Sequence, residues 1–156
     1  MTELTHSNFK IRATPNLRVR DAASAITFYQ QAFGAVELRR LTDPDGKVVN
    51  ALLSIGEALF VVAEESPKTG SPSPQTLGGS PVSIDLSVPD VDVTVNQAVA
   101  AGAVVQYPVM NQFYGLRQGR IVDPFGHMWN IDTPIEEVSP AEMQRRLDEM
   151  MKSADR

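Results

Sequence analysis

A chain of 156 residues, 42% hydrophobic and 21% charged, fits one domain with one core. Fourteen basic against nineteen acidic residues give a net charge of −5, which excludes the positive footprint needed for nucleic acid or an anionic membrane surface. The absence of cysteine excludes disulfides, thiolate metal sites, iron–sulfur clusters and a cysteine nucleophile, and two histidines, His6 and His127, leave little for a site built on several imidazoles.

No apolar run approaches the ~20 residues of a membrane span. The opening MTELTHSNFK has neither the basic start nor the apolar stretch of a signal peptide. The expectation is a cytoplasmic protein without a membrane or nucleic-acid partner.

In chain order, residues 14–20 alternate as a half-buried strand, with Leu17 and Val19 apolar against Asn16, Arg18 and Arg20. Asp21 is placed to cap a helix whose Ala22, Ala25, Ile26, Tyr29, Ala32 and Phe33 form one apolar face, and Gly34 ends it. Strands are predicted at Val36–Thr42, Val48–Ile55 and Ala58–Glu64, joined by the turns Asp43-Pro44-Asp45-Gly46 and Gly56-Glu57. Residues 65–81 hold four prolines, three glycines and almost nothing apolar, which predicts a mobile linker over about 67–80. The order then repeats: a strand at Val82–Val88, a helix from Val91 to Ala101, and strands near Val104–Met110, Leu116–Val122 and His127–Asp132. Ser139-Pro140-Ala141-Glu142 has capping-box spacing and opens a last helix over 139–154. Its stripe of Met143, Leu147, Met150 and Met151 packs on its own domain, on a partner subunit or over a cleft.

The repeat is internal. Leu17-Arg18-Val19-Arg20-Asp21 matches Leu86-Ser87-Val88-Pro89-Asp90 at an offset of 69, and Phe33-Gly34-Ala35 matches Ala101-Gly102-Ala103 at 68. The predicted fold is therefore α+β: two βαβββ modules, 12–66 and 81–135, in a single domain with an added C-terminal helix.

Residues 14–21 (TPNLRVRD), Ala25-Ile26-Thr27-Phe28-Tyr29 and Ala32-Phe33-Gly34-Ala35, with Tyr114-Gly115, Gly119-Arg120 and residues 123–129 (DPFGHMW), carry a family pattern. On these motifs the chain resembles the vicinal oxygen chelate superfamily, which includes glyoxalase I, extradiol dioxygenases, and fosfomycin and bleomycin resistance proteins. Within it, the chain resembles the PhnB-like branch of the glyoxalase/bleomycin-resistance group. The resemblance implies modules that curl around a cleft and commonly pair between chains, hence a homodimer. It also places the metal-ligand positions of metal-dependent members at Thr14, Ser83 and Asn130, and at Phe60 to within about one residue. None is a histidine or a carboxylate, so no metal and no cofactor is expected.

Alternation predicts that Asn16, Arg18, Phe60, Val62, Ser83, Asp85, Met128 and Asn130 face the cleft between modules, an apolar floor with a few polar anchors. Asp85 is either a general base raised by burial or a carboxylate paired to Arg18 or Arg120. Arg18, Arg117 and Arg120 either clamp an anion or pair with acids. His127 either serves acid–base chemistry or bonds to its turn. Trp129 shares a face with Ile131 and belongs to the core. The favoured reading is a metal-independent protein holding a partly aromatic small molecule. The alternatives are an enzyme of the same fold, using Asp85 and arginine acid–base chemistry or an atypical metal site, and an interaction module without a ligand.

Overall fold

The computed structural model describes residues 10–155; His6 lies outside them. The elements follow in the order β1 (Asn16–Val19), α1 (Ala22–Phe33), β2 (Val36–Thr42), β3 (Val48–Ile55), β4 (Ala58–Glu64), α2 (Pro74–Leu77), β5 (Ser83–Ser87), α3 (Val91–Ala100), β6 (Val104–Asn111), β7 (Leu116–Val122), β8 (Met128–Pro134) and α4 (Pro140–Ala154). They form two four-stranded sheets, ordered β1-β4-β3-β2 and β5-β8-β7-β6, each with one parallel pair at the end where its module begins. The duplicated βαβββ architecture and the C-terminal helix are thus present. None of the helices among the described residues is long and apolar enough to cross a membrane.

Each module is started in the same way. Asp21 and Asp90 accept from the backbone N–H groups of Ser24 and Val93, satisfying donors that the first helical turn leaves free. One more free donor is met from the last strand of each module, at positions 69 apart: Glu64 Oε1 accepts from Ala22 N (3.1 Å) and Thr133 Oγ1 from Val91 N (2.8 Å). The helix therefore registers on the sheet through a polar bond as well as through its apolar face.

The core lies between the sheets, where α1 packs on α3. Leu17, Val19, Ala51, Leu53, Phe60 and Val62 from the first sheet, and Leu86, Ile121, Trp129 and Ile131 from the second, point into it. Full burial of such side chains contributes roughly 1.5–3 kcal/mol each. Tyr29 is the centre of an aromatic cluster with Phe28, Phe33, Phe60, Phe125 and Trp129, which joins the two modules. The opposite face of each sheet is the one that α1 and α3 do not cover.

The connection between modules, expected as a linker, carries two short helical elements, a single 3-10 turn at Pro67–Thr69 and the short helix α2. The organiser is Glu65, whose Oε2 accepts from Ser73 N (2.8 Å) and Thr76 Oγ1 (2.6 Å). Ser73 is wholly buried, and Pro74 sits so close to Gly126 that a Cβ there would lie 2.9 Å from the proline ring. Polar residues pack here because one carboxylate satisfies several of them at once.

α4 is capped as predicted, with Ser139 Oγ accepting from Glu142 N. The carboxylate of Glu142 does not complete a capping box; it engages Arg145 and Arg146 instead. Arg146 ties the helix to Glu136 and to the carbonyl of Phe113. Met150 and Met151 remain exposed, so the apolar stripe is not buried on its own domain.

Candidate functional site

The eight residues predicted to face one cleft fall in three places. Register decides this. In the first sheet Asn16 pairs with Val61 and Leu17 with Val62, so Phe60 and Val62 stand on the face opposite Asn16 and Arg18. Both are core residues, 4% and 0% exposed. The position equivalent to Asn130 is Val61, 69 residues earlier, and the one-residue shift moves the predicted side chain to the other face of the sheet.

Asn16 and Arg18 lie on the outer face of the first sheet. Among the described residues, the Arg18 side chain makes one long hydrogen bond, 3.5 Å, to the carbonyl of Glu64. Ser83, Asp85, Met128 and Asn130 share the outer face of the second sheet, where Ser83 pairs with Met128 and Asp85 with Asn130.

Between the modules is a cleft of about 560 Å³, bordered by the chain before β1 (Arg12–Pro15), the β3–β4 turn, β5 and Trp129. Of the predicted residues only Phe60 and Asp85 reach it. Its size suits a small molecule, and its lining is mostly apolar, with Arg12, Thr14, Glu57 and Asp85 as the polar residues.

The outer face of the second sheet carries the denser polar constellation. Across three neighbouring strands, Asp85, Asn130 and Arg120 stand in one row, followed by Tyr107 on β6. Arg120 Nε donates to Asn130 Oδ1 (2.7 Å), while Asn130 Nδ2 donates to Asp85 Oδ1 (2.7 Å) and to Ser83 Oγ (3.1 Å). This fixes the orientation of the amide. The Arg120 guanidinium lies 5.1 Å from the centre of the Tyr107 ring, a cation–π distance. Beside it is a hollow of about 180 Å³ lined by Tyr107, Gln112, Tyr114, Gln118, Arg120 and Asn130. Burial, and then the negative charges of Asp132 and Asp85, push the Tyr114 phenol above its ordinary range, so it remains a neutral donor and bonds to Gln118.

Gln118, Tyr107 and Tyr114 are not among the residues the sequence singles out for the site, and Arg120 enters there only as one of three candidate anion-clamping arginines. Strict alternation of β7 would have placed Gln118 and Arg120 on the same face as Asn130, but Gly119 between them has no side chain to mark the period.

Asp85 pairs directly with neither Arg18 nor Arg120 among the described residues; Asn130 stands between it and Arg120. Arg117 is held by Asp92 in a two-pronged ion pair (2.8 and 2.9 Å), so it is not available to clamp an anion with Arg120. The ring of His127 bonds across the module boundary to the carbonyl of Arg18 (2.9 Å), while its backbone N–H donates to Asp123 Oδ1 of its own turn (3.0 Å). Trp129 is in the core, 1% exposed, as its alternation with Ile131 predicts.

The metal-ligand positions implied by the resemblance do not fit a divalent cation. Asn130 Oδ1 already accepts from a guanidinium, which would repel a cation, and its first-module equivalent is Val61. Among the described residues, none of the groupings of histidine, aspartate and glutamate amounts to a three-donor metal site.

Comparison with known proteins gives consistent results. An uncharacterized protein of Mycobacterium bovis is 43% identical over 140 residues, spanning 88% of this chain and 92% of that protein. The crystal structure of an Arabidopsis thaliana gene product matches with a TM-score of 0.63 and 29% identity, over 80% of this chain and 99% of that one. TioX from Micromonospora sp. ML1 matches with a TM-score of 0.60 and 26% identity, over 80% of this chain and all of TioX (100%). A family model matches residues 11–131, and with that match and the duplicated βαβββ fold the chain belongs to the Glyoxalase/Bleomycin resistance protein/Dioxygenase superfamily.

Proposed function

We propose that the protein is a metal-independent small-molecule-binding member of its superfamily, of the PhnB-like branch, and that the ligand sits on the outer face of the second sheet. The observation carrying this reading is the row Asp85–Asn130–Arg120. Where metal-dependent relatives are expected to carry a ligand carboxylate, this chain has an amide whose two ends are both engaged by neighbouring side chains. The face therefore offers hydrogen-bond donors, acceptors and an aromatic wall, the makeup of a site that binds without chemistry at a metal.

The same reading includes a homodimer acting in the cytoplasm. Val36, Leu38 and Leu41 on the edge strand β2, and Val104, Tyr107 and Met110 on the edge strand β6, are more than half exposed in the single chain. A second copy covering these edges would deepen the shallow hollow beside Arg120. It would also remove exposed strand edges that otherwise invite aggregation.

A thermal-shift screen of chelator-treated protein against a diverse small-molecule library tests the function. Binding to the native state raises the melting temperature. The expected result is a set of stabilising compounds rich in aromatic rings, with stabilisation lost in Arg120→Gln. Stabilisation that appears only after a divalent metal is restored would overturn it.

A further inference from the structure

Asp85 and Arg120 are opposite charges on one open face, yet they do not pair. Asn130 is interposed, accepting from the guanidinium and donating to the carboxylate. The amide thus acts as a spacer that holds the two charges one strand to either side of itself. Each keeps unused bonding capacity among the described residues. Arg120 uses only Nε, so both terminal nitrogens are free to donate, and Asp85 uses only Oδ1. Tyr107 backs the guanidinium at 5.1 Å and keeps its plane from swinging toward β6. Arg117, on the other face of β7, is bound by Asp92 of α3 and does not share this face.

From this geometry we infer that the face recognises an amphoteric ligand, one carrying an anionic group for Arg120 and an ammonium or N–H donor for Asp85. The inference rests on the reading of this face as the binding site and goes further by naming the ligand's chemistry. Strands are spaced about 4.8 Å apart, so the backbones carrying the two charges are separated by about 10 Å. Both side chains lean toward Asn130, so their free ends are closer than that. A ligand whose charges are separated by one ring or one peptide unit spans the gap. A simple anion would leave Asp85 unanswered and would be repelled by it. A simple amine would leave Arg120 unanswered. The hollow beside Arg120, about 180 Å³, is below the roughly 300–1,000 Å³ of a site for a large ligand, which favours a single-ring compound.

Three probes isolate the two charges: 4-(aminomethyl)benzoate carries both, 4-methylbenzoate only the carboxylate, and benzylamine only the ammonium. Dissociation constants from NMR titration of the intact protein are compared across the three. The expected result is that the amphoteric probe binds about tenfold more tightly than either single-charge probe, the difference that one charge-assisted hydrogen bond supplies. Asp85→Asn should bring it down to the level of 4-methylbenzoate, and Arg120→Gln to the level of benzylamine. Unchanged melting temperatures of both variants show that the fold is retained; should Arg120→Gln fail to fold, Arg120→Lys serves, with a smaller loss. Equal affinity for all three probes, or no loss in Asp85→Asn, overturns the amphoteric inference. If binding then still weakens in Arg120→Gln, the outer-face site itself stands. No binding of any probe also overturns the inference, and the location of the site is then decided separately by the compounds found in the thermal-shift screen.

Discussion

The phenol of Tyr29 in α1 donates to Asp123 Oδ2 at 2.6 Å, joining residues 94 apart and one module to the other inside the core. Asp123 is 4% exposed, and its charge is met by three further donors: Trp129 Nε1 on the same oxygen, and the N–H groups of Phe125 and His127 on the other. A buried carboxylate with four donors is well satisfied, and loss of one donor leaves the charge partly uncompensated.

Tyr29→Phe should therefore destabilise the protein by about 1–3 kcal/mol without altering the fold. Asp123→Ala should cost more, since it strands several buried donors at once. Chemical denaturation of both variants checks the order. Equal and negligible losses would show that the modules are held by apolar contact alone.

The same pair predicts alkaline sensitivity. Burial, and then the charge of Asp123, push the Tyr29 phenol well above its ordinary value. Stability from this neutral phenol is complete below the unfolded value, near pH 10, and is lost as pH rises from there toward the folded value. A melting temperature that falls above about pH 10 in the wild type, but less steeply in Tyr29→Phe, is the expected outcome.

Acid acts on the connection between modules. The Thr76 hydroxyl and the Ser73 N–H, with Arg20 adding a smaller effect, hold the Glu65 carboxyl down to about 2. Its contribution is present above the unfolded value near 4.5 and is lost as pH falls from there through about 2. Proteolysis between 66 and 78 should accelerate over that window, and Glu65→Gln should show the acceleration already at neutral pH. Resistance in both conditions would mean that Glu65 does not organise the segment.

Most strand boundaries were legible in the sequence, because alternation and turn chemistry agree; β2, β3 and β4 begin and end where the pattern puts them. The duplication was also legible, since the two copies share capping aspartates and an offset of 69. The site was less so. A side-chain period of two makes a one-residue register error total, which is why Phe60 and Val62 belong to the core and Val61 to the outer face. Arg120 was visible only as one of three arginines, and the sequence does not show that Asp92 holds Arg117. Composition also hid the local structure of residues 66–78, where Glu65 accepts from Ser73 and Thr76 and Pro74 packs against Gly126.

Phe60→Ala is the corresponding stability test. With Tyr29 and Trp129 against its ring, removal should cost about 3–5 kcal/mol and leave affinity for an outer-face ligand unaffected beyond that loss. A selective loss of affinity would put the ligand in the inter-module cleft instead.

Oligomeric state is checked by sedimentation at micromolar concentration, where a dimer is expected. Substituting Tyr107 and Met110 with polar residues should shift it toward monomer. A wild-type monomer would remove the dimer from the proposed function.

Ligand binding on the outer face of the second sheet is tested most directly by chemical-shift mapping with the most stabilising compound from the screen, after chelation of metals. The predicted perturbations fall on the side-chain N–H signals of Arg120 and Asn130 and on the backbone of 83–87, 118–120 and 128–130. Perturbations confined to 12–15, 55–60 and the Trp129 indole would contradict that placement and assign the ligand to the cleft between the modules.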